Sequence, residues 1–128
     1  MSKLLYVALG GAIGSSIRYM FTAYLPILNG SLSIWRTFTV NILGSLLIGF
    51  FYSYFETYTQ NENLKLLIII GILGGFTTFS SFALENINLL KQGELKTTIV
   101  YMLTTNIIGV IAAYLGYLCF KHLNIGNL

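Results

Sequence analysis

Four stretches without a charged residue limit what this chain can fold into. They cover residues 4–17, 37–55, 66–84 and 97–120, and they are 14, 19, 19 and 24 residues long. At about 1.5 Å of rise per residue, a helix over each of the last three crosses a hydrocarbon core of roughly 30 Å. Only 9% of the 128 residues are charged, whereas a soluble domain carries about 25%. The sequence therefore predicts a membrane protein and excludes a soluble globular enzyme.

The first stretch is short because Arg18 interrupts an apolar pattern that continues towards Pro26. The pair Asn29-Gly30 is a turn signal that follows this proline. We predict an all-α membrane protein in which residues 1–128 form a single transmembrane domain. Its four transmembrane helices are predicted at about 4–25, 37–55, 64–90 and 97–120.

Residues 1–16 have an alternative interpretation. Lys3 precedes an apolar run and small residues follow it, as in a cleaved signal peptide. Three further apolar stretches, and the spacing of Gly10 and Gly14, instead favour a packed membrane helix. Arg18 continues the same face, where a cation is costly and faces a partner, water or an anion unless it snorkels to the interface. The sequence leaves both placements of Arg18 open.

Basic residues are shared almost equally between the two sides of the predicted membrane domain. With four spans, one side carries Lys3, Lys65 and Lys121, and the other carries Arg36, Lys91, Lys96 and, if it is counted there, Arg18. Because lysine and arginine bias sets orientation, this balance is compatible with insertion in both directions. A chain that inserts both ways can assemble as an antiparallel homodimer, although a near-equal count also arises by chance in a small protein. No run of basic residues indicates a nucleic-acid partner.

Polar residues form a stripe along the second predicted helix. The stripe recurs every four residues and consists of Thr37, Asn41, Ser45, Gly49 and Ser53. Lipid cannot satisfy its hydrogen-bonding groups, so the stripe must face protein or water. Both a pore lining and contacts between helices fit this pattern. The fourth helix has a weaker polar set, made of Thr98, Tyr101, Thr105, Asn106 and Tyr114.

The third predicted helix contains an unusual segment, in which residues 74–82 read Gly-Gly-Phe-Thr-Thr-Phe-Ser-Ser-Phe. Adjacent glycines followed by hydroxyl-bearing and aromatic residues propagate a helix poorly. We therefore predict a break near the bilayer midplane, with a kinked but continuous helix as the alternative. Irregular backbone is stable at that depth only where protein or a cavity surrounds it, and its free carbonyl groups are natural cation ligands.

Residue types that carry enzyme chemistry are scarce. The single histidine is His122, close to the C-terminus, and the single cysteine is Cys119, which has no neighbours of a metal or redox motif. The four acidic residues, mostly in predicted loops, are Glu56, Glu62, Glu85 and Glu94. No paired carboxylates and no nucleophile with a base can be assembled from this set. The sequence thus predicts that the protein is not an enzyme.

Three segments carry a family resemblance that extends over essentially the whole chain. They are residues 10–14 (Gly-Gly-Ala-Ile-Gly) with Arg18-Tyr19, residues 39–44 (Thr-Val-Asn-Ile-Leu-Gly), and residues 74–82 ending at Glu85. Together with the length and the number of spans, they resemble the Fluc fluoride channels, also called the CrcB family. The segment in the third helix is the most specific of the three.

This resemblance implies an antiparallel, dual-topology homodimer in the cell membrane, with two pores for passive fluoride efflux. It also implies a structural Na⁺ at the dimer centre, held by the backbone carbonyls of Gly74 and Thr77 from both subunits. The implied fluoride pathway comprises Arg18, Asn41, Thr78, Phe79, Ser81, Phe82 and Asn106. In that pathway the Asn41 amide donates hydrogen bonds, the two phenyl rings line the path, and Arg18 makes the vestibule electropositive.

Two regions depart from the family pattern. In the fourth helix, Asn106 stands where tyrosine or histidine is common, and Val110 stands at a later serine position. Arg36 stands where a glycine commonly precedes the threonine. The polar track of the fourth helix and the mouth near Arg36 are therefore the regions to which the resemblance carries residue roles least directly.

An anion pathway also suits the residues themselves. Fluoride is small and strongly hydrated, so a narrow pore must replace its water with amide and hydroxyl donors and with the positive edges of phenyl rings. The polar stripe of the second helix contains no carboxylate. The alternative is a small multidrug-type transporter, which exchanges protons for cations through a glutamate in its first helix. No glutamate is present there, and Glu85 lies towards the end of the third helix.

Overall fold

The computed structural model describes residues 1–24 and 32–125, and this part of the chain is helical throughout apart from short connections. Helix α1 is Ser2–Tyr24 and helix α2 is Leu32–Tyr58. Helix α3 covers 62–76 and consists of Glu62–Lys65, a π-helical stretch Leu66–Leu73 and a last turn Gly74–Phe76. Helix α4 is Phe79–Lys91 and helix α5 is Leu95–Ile125.

Four candidate membrane spans are present among the described residues, as predicted. They are Ser2–Tyr24, Ile34–Tyr58, Glu62–Lys91 and Leu95–Leu123. The helices extend beyond most of the predicted bounds, which had been placed at charged residues. Long charged side chains can reach the membrane interface from inside a helix, so a charge does not end one. Leu25, Pro26 and the predicted Asn29-Gly30 turn lie outside the described residues.

Local signals explain where the later helices begin and end. The Asn61 side chain accepts a hydrogen bond from the Leu64 N–H at 3.1 Å and caps the start of α3. Between α4 and α5, Gly93 adopts a left-handed conformation with φ of 78°, which costs little only for glycine. The connection from α4 to α5 is consequently a tight turn, and these two helices are antiparallel neighbours.

Helix α1 packs directly on α3 through glycines. A methyl group added at Gly71 would lie 2.7 Å from the Gly10 Cα, and one added at Gly75 would lie 2.7 Å from the Gly11 carbonyl oxygen. Gly14 comes even closer to the backbone of Ile72. The predicted glycine face of α1 is therefore a packing face, because only residues without a side chain allow two backbones to come this close.

Helix α2 packs along α5 in a similar way. Gly49 touches the backbone of Ala113, and Gly116 touches the backbone of Leu46. Beyond these contacts, the ring of Phe120 is the hub of an aromatic cluster. Its partners, all in edge-to-face contact at centroid distances of 5.2, 5.7 and 5.7 Å, are Phe50, Tyr54 and Tyr58. The cluster holds the two helices together at the end where α5 leaves the apolar region.

The predicted break lies at Thr77 and Thr78. Both residues are extended, with φ and ψ of −75° and 156° for Thr77 and −148° and 109° for Thr78. Helical structure resumes at Phe79, so the alternative of a continuous, kinked helix is wrong. The π-helical stretch before the break was not predicted. In it the Gly74 N–H donates to the Ile69 carbonyl, five residues earlier, which widens the helix just before it ends.

Candidate functional site

Asn41 of α2 holds the break in its extended conformation. Its Nδ2 donates to the Thr78 carbonyl at 3.1 Å, and its Oδ1 accepts the Thr78 N–H at 2.8 Å. The side-chain amide thus pairs with both backbone groups of one residue. Gly44, one turn further along α2, lies against the Thr77 methyl group, where a side chain would not fit. The polar stripe of α2 therefore faces protein at this level and stabilises irregular backbone.

The break releases two carbonyl groups from helical hydrogen bonding. In a continuous helix the Thr78 N–H would donate to Gly74, but here it donates to Asn41. Likewise the Ser81 N–H, which would donate to Thr77, donates to the Thr78 Oγ1 at 3.1 Å. Gly74 and Thr77 are the two predicted sodium ligands, and both have lost their usual helical donor. Their carbonyl oxygens are available to a cation.

Arg18 lies beside the same break. Its side chain is half-buried, and its Nε donates to the Gly75 carbonyl at 3.2 Å. This contact stabilises another carbonyl at the end of α3, where the last carbonyl groups have no N–H donor within the helix. The guanidinium group therefore faces protein at the break, although the sequence had left open a position at the membrane interface.

Two adjoining cavities lead to the break, and we call them together the vestibule. The inner cavity, of about 190 Å³, is lined by Ser15, Arg18, Thr22, Thr37, Thr78 and Ser81. The outer cavity, of about 320 Å³, is lined by Thr22, Arg36, Thr37, Ser81, Glu85 and Asn88. Thr22, Thr37 and Ser81 line both cavities, so the two cavities lie side by side. Hydroxyl groups and two guanidinium groups dominate the polar lining, which suits an anion.

The two phenylalanines of the predicted pathway contact each other at the start of α4. The ring centroids of Phe79 and Phe82 are 5.5 Å apart, with the ring planes inclined by 47°. Phe82 is 5% exposed and also contacts the ring of Tyr101 at 5.1 Å, whereas Phe79 is 75% exposed. The ring contact is possible because α4 begins at Phe79, so that residues three apart share one face.

A buried carboxylate that the sequence analysis did not select lies next to this pair. Glu85 Oε1 accepts a hydrogen bond from the Thr37 hydroxyl at 2.6 Å, and Oε2 accepts one from the Tyr101 hydroxyl at 2.7 Å. Glu85 is 8% exposed and joins α2, α4 and α5. One sequence signal pointed to it, since Glu85 lies three residues after Phe82 on the same helical face.

Asn106 does not lie with the other predicted pathway residues. It is exposed on α5, and its Nδ2 donates to the Met102 carbonyl of its own helix at 2.7 Å. Val110 is also exposed. The buried polar residues of α5 are instead Thr98, Tyr101 and Thr105. Tyr101, which belonged to the weaker polar set, is the residue of α5 that reaches the site.

No group of three or more histidine, cysteine, aspartate or glutamate residues that could hold a metal ion is found in 1–24 and 32–125. Groups of another kind, the backbone carbonyl oxygens released at Gly74 and Thr77, are able to ligate a cation. Neutral carbonyl oxygens suit a monovalent ion, as in other membrane sites formed by broken helices.

Known proteins match this chain over nearly its full length. A family model described as CrcB-like protein, Camphor Resistance (CrcB), matches residues 5–117. A protein from Parabacteroides distasonis is 37% identical over 96% of both chains. One from Aquifex aeolicus is 38% identical over 92% of this chain and 96% of its own. One from Magnetococcus marinus is 41% identical over 89% of this chain and 94% of its own.

Each of these three relatives is named "Fluoride-specific ion channel FluC". The chain is a multi-pass membrane protein, and it belongs to the CrcB-like family.

Proposed function

We propose that this protein is a fluoride-specific ion channel that mediates passive fluoride efflux across the cell membrane. The observation that carries the proposal is the vestibule, which ends at the helix break and has Arg18 in its wall. The names of the relatives support the same ion. A channel of this kind lowers cytoplasmic fluoride without energy coupling, because the ion moves down its electrochemical gradient.

The groups around the break fit the chemistry of fluoride. The hydroxyl groups of Thr78 and Ser81 lie in the inner cavity and can donate hydrogen bonds to a dehydrated anion. The edges of phenyl rings carry positive partial charge, so the Phe79 and Phe82 pair can contact an anion without a formal charge. Asn41 uses one of its two amide hydrogens on Thr78. In the proposed pathway the second amide hydrogen donates to the ion.

An antiparallel homodimer is part of the proposal. Gly74 is exposed on the protomer although its carbonyl has lost its helical donor. Lipid cannot satisfy such a group, so another protein surface must cover it. A second copy meets this need, because two copies of the break can face each other across a twofold axis. The near-equal distribution of lysine and arginine supports insertion in both orientations.

We also propose a structural Na⁺ that lies between the helix breaks of the two protomers. The carbonyls of Gly74 and Thr77 from both protomers would hold it, and both are released from helical hydrogen bonding by the contacts of Thr78. When bound, the cation offsets the negative ends of the two interrupted helices. Its role is to stabilise the dimer centre, and the anion path runs along each vestibule.

Fluoride release from liposomes tests the function. The purified protein is reconstituted in liposomes loaded with potassium fluoride, a potassium ionophore balances the charge, and an electrode records external fluoride. We expect rapid release of fluoride and far slower release of chloride. A small multidrug-type transporter would instead take up organic cations under a pH gradient. Fluoride release no faster than from protein-free liposomes would contradict the proposal.

A further inference from the structure

Arg36 occupies an unusual position at the outer end of the vestibule. It lies in the second turn of α2 and lines the outer cavity. Its Nε is shielded from solvent and has no hydrogen-bond partner in the described part of the chain. A buried donor without a partner costs free energy, more so on a charged group. Arg36 lines the cavity and forms no ion pair among the described residues, so its positive charge can attract an acceptor that enters the cavity.

The balance of positive and negative side chains in the wall decides whether the vestibule favours an anion or a cation. Glu85 is the one carboxylate among the lining residues, and its two oxygens already accept hydrogen bonds from Thr37 and Tyr101. Across the two cavities the lining includes two guanidinium groups, of Arg18 and Arg36, against this single carboxylate. The formal charge of the vestibule is thus positive only because Arg36 is present.

We propose that Arg36 forms an anion-loading site at the vestibule mouth, where a small inorganic anion binds before it reaches the break. The hydroxyl groups of Thr22 and Thr37 line the same space and can complete its shell of donors. Arg18, bonded to Gly75, belongs to the deeper cavity. The two arginines therefore act in sequence along one path, and Arg36 offsets the charge of Glu85.

The loading role rests on the proposed channel function, whereas the anion site itself does not. A positive group in a low-dielectric cleft raises the local concentration of anions. This effect matters when fluoride is scarce and the vestibule is mostly empty. The gain in local anion concentration disappears when fluoride saturates the site. Salt also weakens it, because the screening length is about 10 Å at 0.1 M.

The first experiment measures fluoride efflux from liposomes over a range of fluoride concentrations. Arg36→Gln should lower efflux at limiting fluoride by about threefold or more, while efflux at saturating fluoride changes little. Arg36→Lys should retain most of the wild-type behaviour because it keeps the charge. As a control, Lys91→Gln removes an exposed positive charge from the last residue of α4, outside the two cavities. This variant should have no effect on efflux. An unchanged concentration dependence in Arg36→Gln would overturn the loading role.

The second experiment locates the anion without relying on transport. Crystals of the wild-type protein and of Arg36→Gln are soaked in bromide, and the anomalous signal is compared. We expect a bromide peak beside the Arg36 guanidinium group in the wild type and none in the variant. Absence of the wild-type peak would overturn the site, even if fluoride release is normal. A peak in a protein that releases no fluoride would support the site and refute the channel function.

Gel filtration and circular dichroism of each variant identify loss of fold, which would otherwise mimic loss of loading. If Arg36→Gln does not fold, Arg36→Lys carries the flux comparison, because Arg36→Lys keeps the charge but lacks the planar group. Efflux by Arg36→Lys at the wild-type level is then the expected result, and the bromide peak of the wild type decides whether an anion binds beside Arg36. A severe loss at limiting fluoride in a folded Arg36→Lys protein would contradict electrostatic loading.

Discussion

The Asn41 side chain and the Thr78 backbone exchange two hydrogen bonds, one in each direction, at 2.8 and 3.1 Å. These residues lie on different helices and are separated by 37 positions in the chain. Their pairing stabilises the extended segment between α3 and α4 where lipid could not. It also frees the Gly74 carbonyl, so that one contact both holds the break and prepares the proposed cation site.

Replacing Asn41 by alanine should destabilise the break. The Thr78 N–H and carbonyl would both lose their partner in a buried setting, at a cost of about 1–3 kcal/mol for each group. Asn41→Asp keeps the acceptor for the N–H but loses the donor to the carbonyl. We expect an intermediate loss of stability for this variant and no fluoride flux, because its carboxylate repels the anion. Thermal unfolding in detergent and liposome efflux measure the two effects.

Thr39→Ala is the matched control for this prediction. Thr39 lies on the same helix, and its hydroxyl donates only to the Trp35 carbonyl of that helix. Its replacement should change stability by less than about 0.5 kcal/mol. Equal stability of Asn41→Ala and Thr39→Ala would show that the amide does not hold the break.

Phe79→Ile and Phe82→Ile should each reduce fluoride flux severely. Isoleucine keeps most of the apolar bulk but removes the positive ring edge that we propose contacts the ion. Phe82 is buried against Tyr101, so its replacement should also lower the unfolding temperature by a few degrees, roughly the effect of 1 kcal/mol. Exposed Phe79 should show the flux effect with little loss of stability.

Phe51→Ile serves as the control for the ring pair. Phe51 contacts Phe50 in the aromatic part of α2 and lies outside the segment of the helix break. Its replacement should leave flux unchanged. If the proteins with Phe79→Ile and Phe82→Ile fold and conduct at the wild-type rate, the two rings are packing residues and the ion passes them without contact.

Adjacent glycines of α1 should respond in opposite ways to alanine. At Gly10 an added methyl group would overlap the backbone of α3, including the Gly71 Cα at 2.8 Å, whereas at Gly11 it would meet open space. Gly10→Ala should therefore destabilise the fold by about 1–3 kcal/mol. Gly11→Ala should be neutral, or stabilising by up to about 1 kcal/mol through helix propensity. Unfolding curves of the pair test this, and equal stability would contradict the backbone contact.

The two membrane orientations should both occur in cells. The test uses two reporters fused to the C-terminus, each active on only one side of the membrane. Both should give a signal, because lysine and arginine residues are shared almost equally between the two sides of the membrane domain. Adding two lysines to the C-terminus should shift the ratio of the signals. A single active reporter for the unmodified chain would rule out the antiparallel dimer.

Much of the architecture follows from the sequence because the bilayer imposes strong constraints. In lipid, an uncharged stretch of about 20 residues must satisfy its backbone hydrogen bonds within itself, which favours a helix. The four spans could therefore be predicted. The Gly74-Gly75 pair and the following hydroxyl-bearing residues predicted the break, since such residues sustain a helix poorly. The helix limits could not be placed in this way, because charged residues such as Lys3 and Arg36 lie inside the helices.

Tertiary structure alone decided what surrounds the break. Asn41 was expected to serve the ion, and its pairing with Thr78 depends on how α2 is placed against α3 and α4. Glu85 received its partners in the same way, from α2 and α5. A sequence pattern reports which face of a helix is polar but not which helix that face meets. Local periodicity therefore determined the spans and the break, and packing between distant segments determined the site.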